Sequence, residues 1–223
     1  MTALQQYQMF IDSKWTGAGN GRTFQSHNPT TGEAWAEIPE ATADDVDRAV
    51  CAAHRAFTSG EWANALPTAR GRYLRKLADL LAQKSEELGR TETVDTGKML
   101  KETRWQAKYI AEFFHFYAGA ADKLHGQTIP FLAGYTVYTL REPHGVTGHI
   151  IPWNYPMQII GRSVTAALAA GNAVILKPSE VTPSPALELG RVALAAGLPP
   201  GLLNVLPGTG AVAGAALVEH PGV

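Results

Sequence analysis

The chain is short of several things, and each shortage removes a class of protein. One cysteine, Cys51, stands among 223 residues. A single thiol excludes an internal disulfide framework and any zinc site built on cysteines, and it fits a reducing compartment. Neither sign of charge is in excess: 19 Lys and Arg face 20 Asp and Glu, for a net charge of −1. There is thus no basic footprint for nucleic acid or an anionic membrane surface. No apolar run approaches the roughly 18 residues a membrane span requires. Residues 1–12 lack a basic stretch followed by an apolar core, so no signal peptide is expected and the chain reads as soluble and cytoplasmic. Seven histidines show no metal-ligand spacing, so no metal is expected. The patterns Gly-x-x-x-x-Gly-Lys-Ser/Thr, Gly-x-Ser-x-Gly and His-Glu-x-x-His are all absent.

Charge is also scarce in one region. Of the 39 Asp, Glu, Lys and Arg side chains only Arg162, Lys177, Glu180, Glu188, Arg191 and Glu219 lie in residues 144–223. A segment with so few charges cannot solvate a large surface, and strands buried on both faces of a parallel sheet have this composition.

What is present has a clear order. Short strands are expected at Tyr7–Ile11, Thr23–His27 and Ala34–Ile38, separated by turns at Asp12-Ser13-Lys14 and Asn28-Pro29-Thr30-Thr31-Gly32. Thr42-Ala43-Asp44-Asp45 resembles a capping box with Asp in the place of Glu, opening a helix to Phe57. Pro67 stands near the start of a second helix, a third covers about Ser85–Asp95, and a longer one begins near Met99. Gln127–Phe131 and Tyr135–Arg141 read as a hairpin. From Gly145 onward strand and helix alternate: strands at Val146–Ile151, Ala173–Leu176 and Leu202–Leu206, helices at Met157–Ala170, Pro183–Ala196 and Ala211–Val218. This alternation predicts βαβ units and an α/β fold with a partial doubly wound parallel sheet.

Ligands of open parallel sheets sit beyond the carboxyl ends of the strands, so the residues following each strand are the candidates. After the first come Pro152-Trp153-Asn154-Tyr155-Pro156, where Asn154 offers an amide donor near a helix N-terminus, suited to a developing oxyanion. The competing role for Asn154 is to satisfy the backbone of its own turn. After the second come Lys177-Pro178-Ser179-Glu180: a cation, and an acceptor suited to ribose hydroxyls. The plainer reading is a solvated strand end with Glu180 favouring the next helix dipole. After the third comes Gly208-Thr209-Gly210-Ala211-Val212-Ala213-Gly214, a glycine turn that lets backbone approach a phosphate, although close helix–strand packing asks for small residues too. Cys51 follows apolar Val50 on a helix and reads as a small packing residue, with no base near it to make it a nucleophile.

Taken together these segments resemble the NAD(P)-dependent aldehyde dehydrogenase superfamily. The resemblance rests on Ile151-Pro152-Trp153-Asn154-Tyr155-Pro156, Ala169-Ala170-Gly171-Asn172, Lys177-Pro178-Ser179-Glu180, Ala196-Gly197-Leu198-Pro199-Pro200-Gly201 and Asn204-Val205-Leu206-Pro207-Gly208. Earlier matches are Asn28-Pro29-Thr30-Thr31-Gly32-Glu33, Glu92-Thr93-Val94-Asp95-Thr96-Gly97-Lys98 and Arg141-Glu142-Pro143-His144-Gly145-Val146. The Tyr-Pro after Trp-Asn is nearest to betaine-aldehyde-type members.

The resemblance implies oxidation of an aldehyde to a carboxylic acid through a cysteine thiohemiacetal and thioester, with hydride passing to NAD. Asn154 would donate its side-chain amide to the oxyanion. Lys177, Ser179 and Glu180 would bind the adenosine side of the cofactor, a carboxylate at 180 favouring NAD over NADP. Ile150, Ile151, Pro152 and Trp153 would line the cofactor cleft, and Gly210 and Gly214 would lie near the adenine. Residues 1–122 would be the first strands and helices of the cofactor domain, 123–143 an oligomerisation hairpin, and 144–223 the first part of the parallel core. The intact enzyme would be a homodimer or homotetramer. The nucleophilic cysteine and general-base glutamate match no position here, Cys51 included, so the chain corresponds to the N-terminal half and is expected to be inactive alone. A competing expectation is a stand-alone NAD-binding or assembly module. Against it, a three-strand remnant would leave an exposed sheet edge.

Overall fold

The structure, a computed structural model, describes residues 3–223; Met1 and Thr2, part of the opening stretch read as carrying no signal peptide, lie outside the described residues. The chain opens with short strands β1 (Gln5–Gln6), β2 (Met9–Ile11), β3 (Lys14–Thr16), β4 (Thr23–His27) and β5 (Ala34–Pro39). Helix α1 (Ala43–Thr58) begins at the expected capping box: Thr42 Oγ1 accepts from the Asp45 backbone N–H, and the Asp45 carboxylate accepts from Thr42 N–H. A 3-10 turn (Glu61–Asn64) that has no strong sequence signal precedes α2 (Pro67–Gln83), which starts on its proline as predicted. Then follow α3 (Ser85–Thr96), α4 (Leu100–Ala120) and the ribbon β6 (Thr128–Ile129) and β7 (Val137–Tyr138).

The βαβ region is β8 (Val146–Ile151), α5 (Pro156–Ala170), β9 (Ala173–Pro178), α6 (Ser184–Ala196) and β10 (Leu203–Val205). Helices α5 and α6 each stop at a glycine in the left-handed region, Gly171 (φ 100) and Gly197 (φ 70). There a side chain would add strain, and glycine turns the chain back into the next strand. The expected last helix divides into a π-helical turn (Gly210–Gly214) and a short α7 (Ala215–Glu219).

The main sheet runs β3-β2-β10-β9-β8, with β8, β9 and β10 parallel and β2 antiparallel to β10. Every residue of β9 is buried, as the charge-poor composition predicts. The expectation of a three-strand remnant is corrected: the β2–β3 hairpin adds two strands and covers the β10 side. The expected turn Asp12-Ser13-Lys14 is shorter than predicted: Lys14 already belongs to β3, a strand with no sequence signal of its own. Asp12 and Ser13 have positive φ (53° and 58°), the backbone of a tight two-residue hairpin turn normally written with Asn or Gly. The turn is held from across the fold, where the buried Asn204 side chain accepts the Asp12 N–H at 3.0 Å.

Two other expectations change. The hairpin is regular only at β6 and β7, and residues 122–144 are exposed except for half-buried Val137. Cys51 is exposed, 3.9 Å from Asp47 on the outer side of α1, so it is not a packing residue. Val46, Ala49, Val50 and Ala53 make the buried stripe, and Cys51 lies about 100° of helical turn beyond Val50.

Candidate functional site

Three loops leave the carboxyl ends of β8, β9 and β10 side by side, because the strands are parallel and adjacent. Lys177 is the penultimate residue of β9, inside the strand and not after it, and it is only 3% exposed. A buried ammonium needs a partner, and its Nζ donates to Glu180 Oε2 at 3.3 Å. Burial alone would raise the Glu180 carboxyl. Its own backbone N–H, the Lys177 ammonium and the Gly210 backbone N–H outweigh that and hold it below the usual carboxylate range. The β9 and β10 loops therefore meet at one carboxylate. Ser179, half-buried between Lys177 and Glu180, accepts the Val181 N–H at 3.4 Å.

The two readings of the glycine turn separate here. A Cβ on Gly208 would lie 2.9 Å from Ala213 Cβ and 3.2 Å from the Ala41 carbonyl, so packing alone requires that glycine. A Cβ on Gly210 would meet nothing within 4 Å, and one on Gly214 only the Thr209 carbonyl at 3.9 Å. Gly210 is exposed, Gly214 is buried, and neighbouring Thr209 Oγ1 is buried with no hydrogen-bond partner among the described residues. Open space, a paired buried cation and an orphaned hydroxyl fit a polar ligand seated over this edge better than a sealed packing surface.

The β8 loop is different. Pro152, Trp153, Asn154 and Tyr155 are all exposed, Trp153 by 61%. No hydrogen bond of the Asn154 side chain is found among the described residues, so the amide does not satisfy its own turn. Ile150 and Ile151 point to opposite faces of β8; Ile150 is exposed and Ile151 buried, so only the former presents its side chain. Trp153 and Glu180 share a cleft of about 340 Å³ with Ser26, Asp95 and Thr182. At its base Asp95 accepts from Ser26 Oγ at 2.6 Å and from the Ser184 N–H at 2.9 Å. Burial pushes the Asp95 carboxyl up to about 6 despite those bonds.

Two residues with no role assigned from sequence also belong here. Glu92 on α3 is fully buried, and one oxygen accepts the Met157 N–H of α5 at 3.4 Å. Burial pushes its carboxyl up to about 7, against the pull of the Lys98 ammonium. Lys98 Nζ stands 3.4 Å from the centre of the Tyr155 ring. Both lie in the Glu92–Lys98 run, but nothing in its spacing says that it reaches the β8 loop.

Among the described residues no helix is long and apolar enough to cross a membrane. The fold and site define an α/β protein with a candidate ligand edge at the carboxyl ends of a parallel sheet. The aldehyde dehydrogenase family matches residues 15–223, and the chain belongs to that family. It is 45% identical over 214 residues to the Arabidopsis thaliana mitochondrial aldehyde dehydrogenase family 2 member B4, covering 96% of this chain and 40% of the relative. The NAD+ complex of a Bacillus cereus aldehyde dehydrogenase superposes with a TM-score of 0.96 at 40% identity, over 98% of this chain and 45% of that one. A betaine aldehyde dehydrogenase from Staphylococcus aureus, in complex with NAD+, gives 0.94 at 35% identity over 99% and 45%. The chain spans less than half the length of each.

Proposed function

We propose that this chain supplies the cofactor-ribose site and the oxyanion donor of an NAD-dependent aldehyde oxidation. The observation that carries the reading is the Lys177–Glu180 pair beside the open glycine turn. It is a preformed cation and acceptor, and its carboxylate would repel a 2′-phosphate, which favours NAD over NADP. Lys177, Ser179 and Glu180 would hold the adenosine ribose, with Gly210 and Gly214 beside the adenine, and Ile150, Pro152 and Trp153 would border the cleft. The bound cofactor supplies the hydride acceptor. The free Asn154 amide would donate to the oxygen of an aldehyde attacked by a cysteine thiolate, holding the charge that develops there.

The attacking cysteine is assigned to no position in these 223 residues, Cys51, exposed on α1, included. The chain alone is expected to yield no NADH from any aldehyde. The direct test is calorimetric titration with NAD and NADP. Binding of NAD in preference to NADP, lost in Glu180→Ala, supports the reading; equal binding, or none, sinks it.

Residues 123–143 would serve as an oligomerisation arm between the two parts of the cofactor domain (1–122 and 144–223), building a homodimer or homotetramer. Its exposed Phe131, Leu132, Tyr135, Tyr138 and Leu140 support this. The alternative, a stand-alone NAD-binding or assembly module, gains from the β2–β3 hairpin that covers one sheet edge. A monomer that unfolds cooperatively and binds NAD without turnover would favour it.

A further inference from the structure

Among the described residues no side-chain hydrogen bond is found within residues 152–155, the loop that carries Asn154. Tyr155 is the N-cap residue of α5, and its side chain makes no capping bond. Pro156 has no N–H, so the first donor of the helix that needs an acceptor is Met157, and an N-cap side chain would normally supply one. Here the acceptor comes from another helix: Glu92 Oε2 reaches in from α3 and takes the Met157 N–H at 3.4 Å. A carboxylate at that position also faces the positive end of the α5 dipole. The other oxygen, Oε1, is buried and makes no hydrogen bond among the described residues; Lys98 Nζ stands 3.9 Å from it, an ion-pair distance and no more.

Lys98 is the second half of the device. Its side chain is 17% exposed. It lies over the Tyr155 ring, 3.4 Å from the centroid, and donates to Gln106 Oε1 at 3.4 Å, with Glu102 Oε1 at 3.9 Å. Gln106 in turn donates to Glu102 at 2.7 Å. The charged and titratable groups facing Glu92 are thus Asp95 from α3, Lys98 from the α3–α4 turn, and Glu102 from α4. Tyr155 joins them from the β8–α5 loop. One ammonium touches both the buried carboxylate and the residue next to Asn154.

We propose that Glu92 and Lys98 are a positioning pair for the Asn154 loop: Glu92 caps α5 from outside, Lys98 clamps the Tyr155 ring, and together they fix where the Asn154 amide points. The consequence for chemistry rests on the reading of Asn154 as the oxyanion donor; the positioning itself does not. The pair is also sensitive to protons. When Glu92 is neutral the cap weakens and Lys98 loses its closest buried counter-charge, so order in the loop should vary around neutral pH.

The test uses ¹⁵N relaxation at the backbone and side-chain amides of Asn154, with hydrogen exchange at the Met157 amide, on the full chain. In the unaltered protein at pH 8 the loop should be rigid, with an order parameter of about 0.85. Lys98→Met should lower it below about 0.6 and speed Met157 exchange by roughly 3- to 30-fold. Val174–Leu176 in β9 should be unaffected, and Lys98→Arg should restore most of the order. Between pH 6 and 8 the loop of the unaltered protein should gain order, and that dependence should vanish in Glu92→Gln. Should either buried substitution prevent folding, Tyr155→Leu removes the ring at a half-exposed position and should loosen the loop as Lys98→Met does, whereas Tyr155→Phe should not. A loop equally ordered in Lys98→Met or Tyr155→Leu overturns the proposal, as does loosening that spreads equally to β9. Asn154→Ala in a catalytically complete enzyme separates the two claims. Unchanged turnover there defeats the oxyanion reading and leaves the positioning result standing. Lowered turnover with an unresponsive loop does the reverse.

Discussion

Two loops leave the same end of one sheet and are built in opposite ways. At the end of β9, Lys177 is buried and paired with Glu180, whose carboxylate also meets the Gly210 N–H of the β10 loop. Beyond β8, residues 152–155 are exposed, Asn154 has no side-chain hydrogen bond among the described residues, and order comes from Glu92 and Lys98 beneath. The difference suits two kinds of work. A site that binds a ready-made group benefits from partners already in place, because little has to be ordered on binding. A donor for a charge that exists only during reaction must stay unpaired beforehand, so its rigidity has to come from behind.

The largest expected effect lies at the β8 end. In an enzyme that contains this chain and turns over aldehyde, Asn154→Ala should reduce kcat by roughly 10²–10³-fold, with the thermal midpoint almost unchanged because the amide holds nothing in the fold. If steady-state kinetics show a normal rate, or calorimetry shows a destabilised protein, the contrast between the loops fails.

At the β9 end the order reverses, and binding is lost first. Lys177→Met removes a charged donor, which is worth about 1.5–3 kcal/mol, so NAD affinity should fall by roughly 10- to 100-fold. Calorimetric titration reads this directly. A variant that binds as tightly as the unaltered chain would return Lys177 to the role of a strand-end cation.

The glycine turn offers a smaller comparison inside a single loop. Gly208→Ala forces a Cβ to 2.9 Å from Ala213 and should destabilise by about 1–3 kcal/mol. Gly210→Ala meets open space and should leave stability within roughly 0.5 kcal/mol while weakening cofactor binding. Equal destabilisation by the two substitutions in urea unfolding would mean that both glycines serve packing.

Much of this edge could be read from the sequence because its signals are local. Alternating strands and helices, Pro156 at a helix start and the scarcity of charge after residue 143 all describe nearby residues, and β8 begins and ends where its pattern says. The apolar run ends at Leu176, but the backbone pairing continues two residues further, to Pro178, and so takes Lys177 into the strand. What escaped were contacts across long separations. The Glu92 bond to Met157 spans 65 residues, and the Asn204 bond that holds the Asp12 turn spans 192. No periodicity encodes them. Glu92 stands four residues after Leu88, on the face of α3 that the fold buries, and it opens the Glu92–Lys98 segment, but neither fact says that it reaches α5.

The remaining expected effect is electrostatic, and its sign differs between the two carboxylates. Glu180 lies below its ordinary value in the fold, so it contributes stability above the unfolded carboxylate range, near 4.5, that is lost as pH falls through the folded value. Its side chain is 43% exposed, so the contribution is screened and should stay under about 1 kcal/mol. Glu92 is raised to about 7, so the folded protein holds a proton that the unfolded chain releases from about 4.5 upward. Its contribution therefore declines as pH rises from the acid side to about 7. Denaturant unfolding of Glu180→Gln and Glu92→Gln from pH 4 to 8 should show opposite trends against the unaltered chain. The Glu180 variant should converge with it toward acid. The Glu92 variant should gain on it toward neutrality, since it no longer has a carboxylate to ionise in the core. Parallel curves would mean that the two carboxylates share one environment and that the loops above them are not built differently.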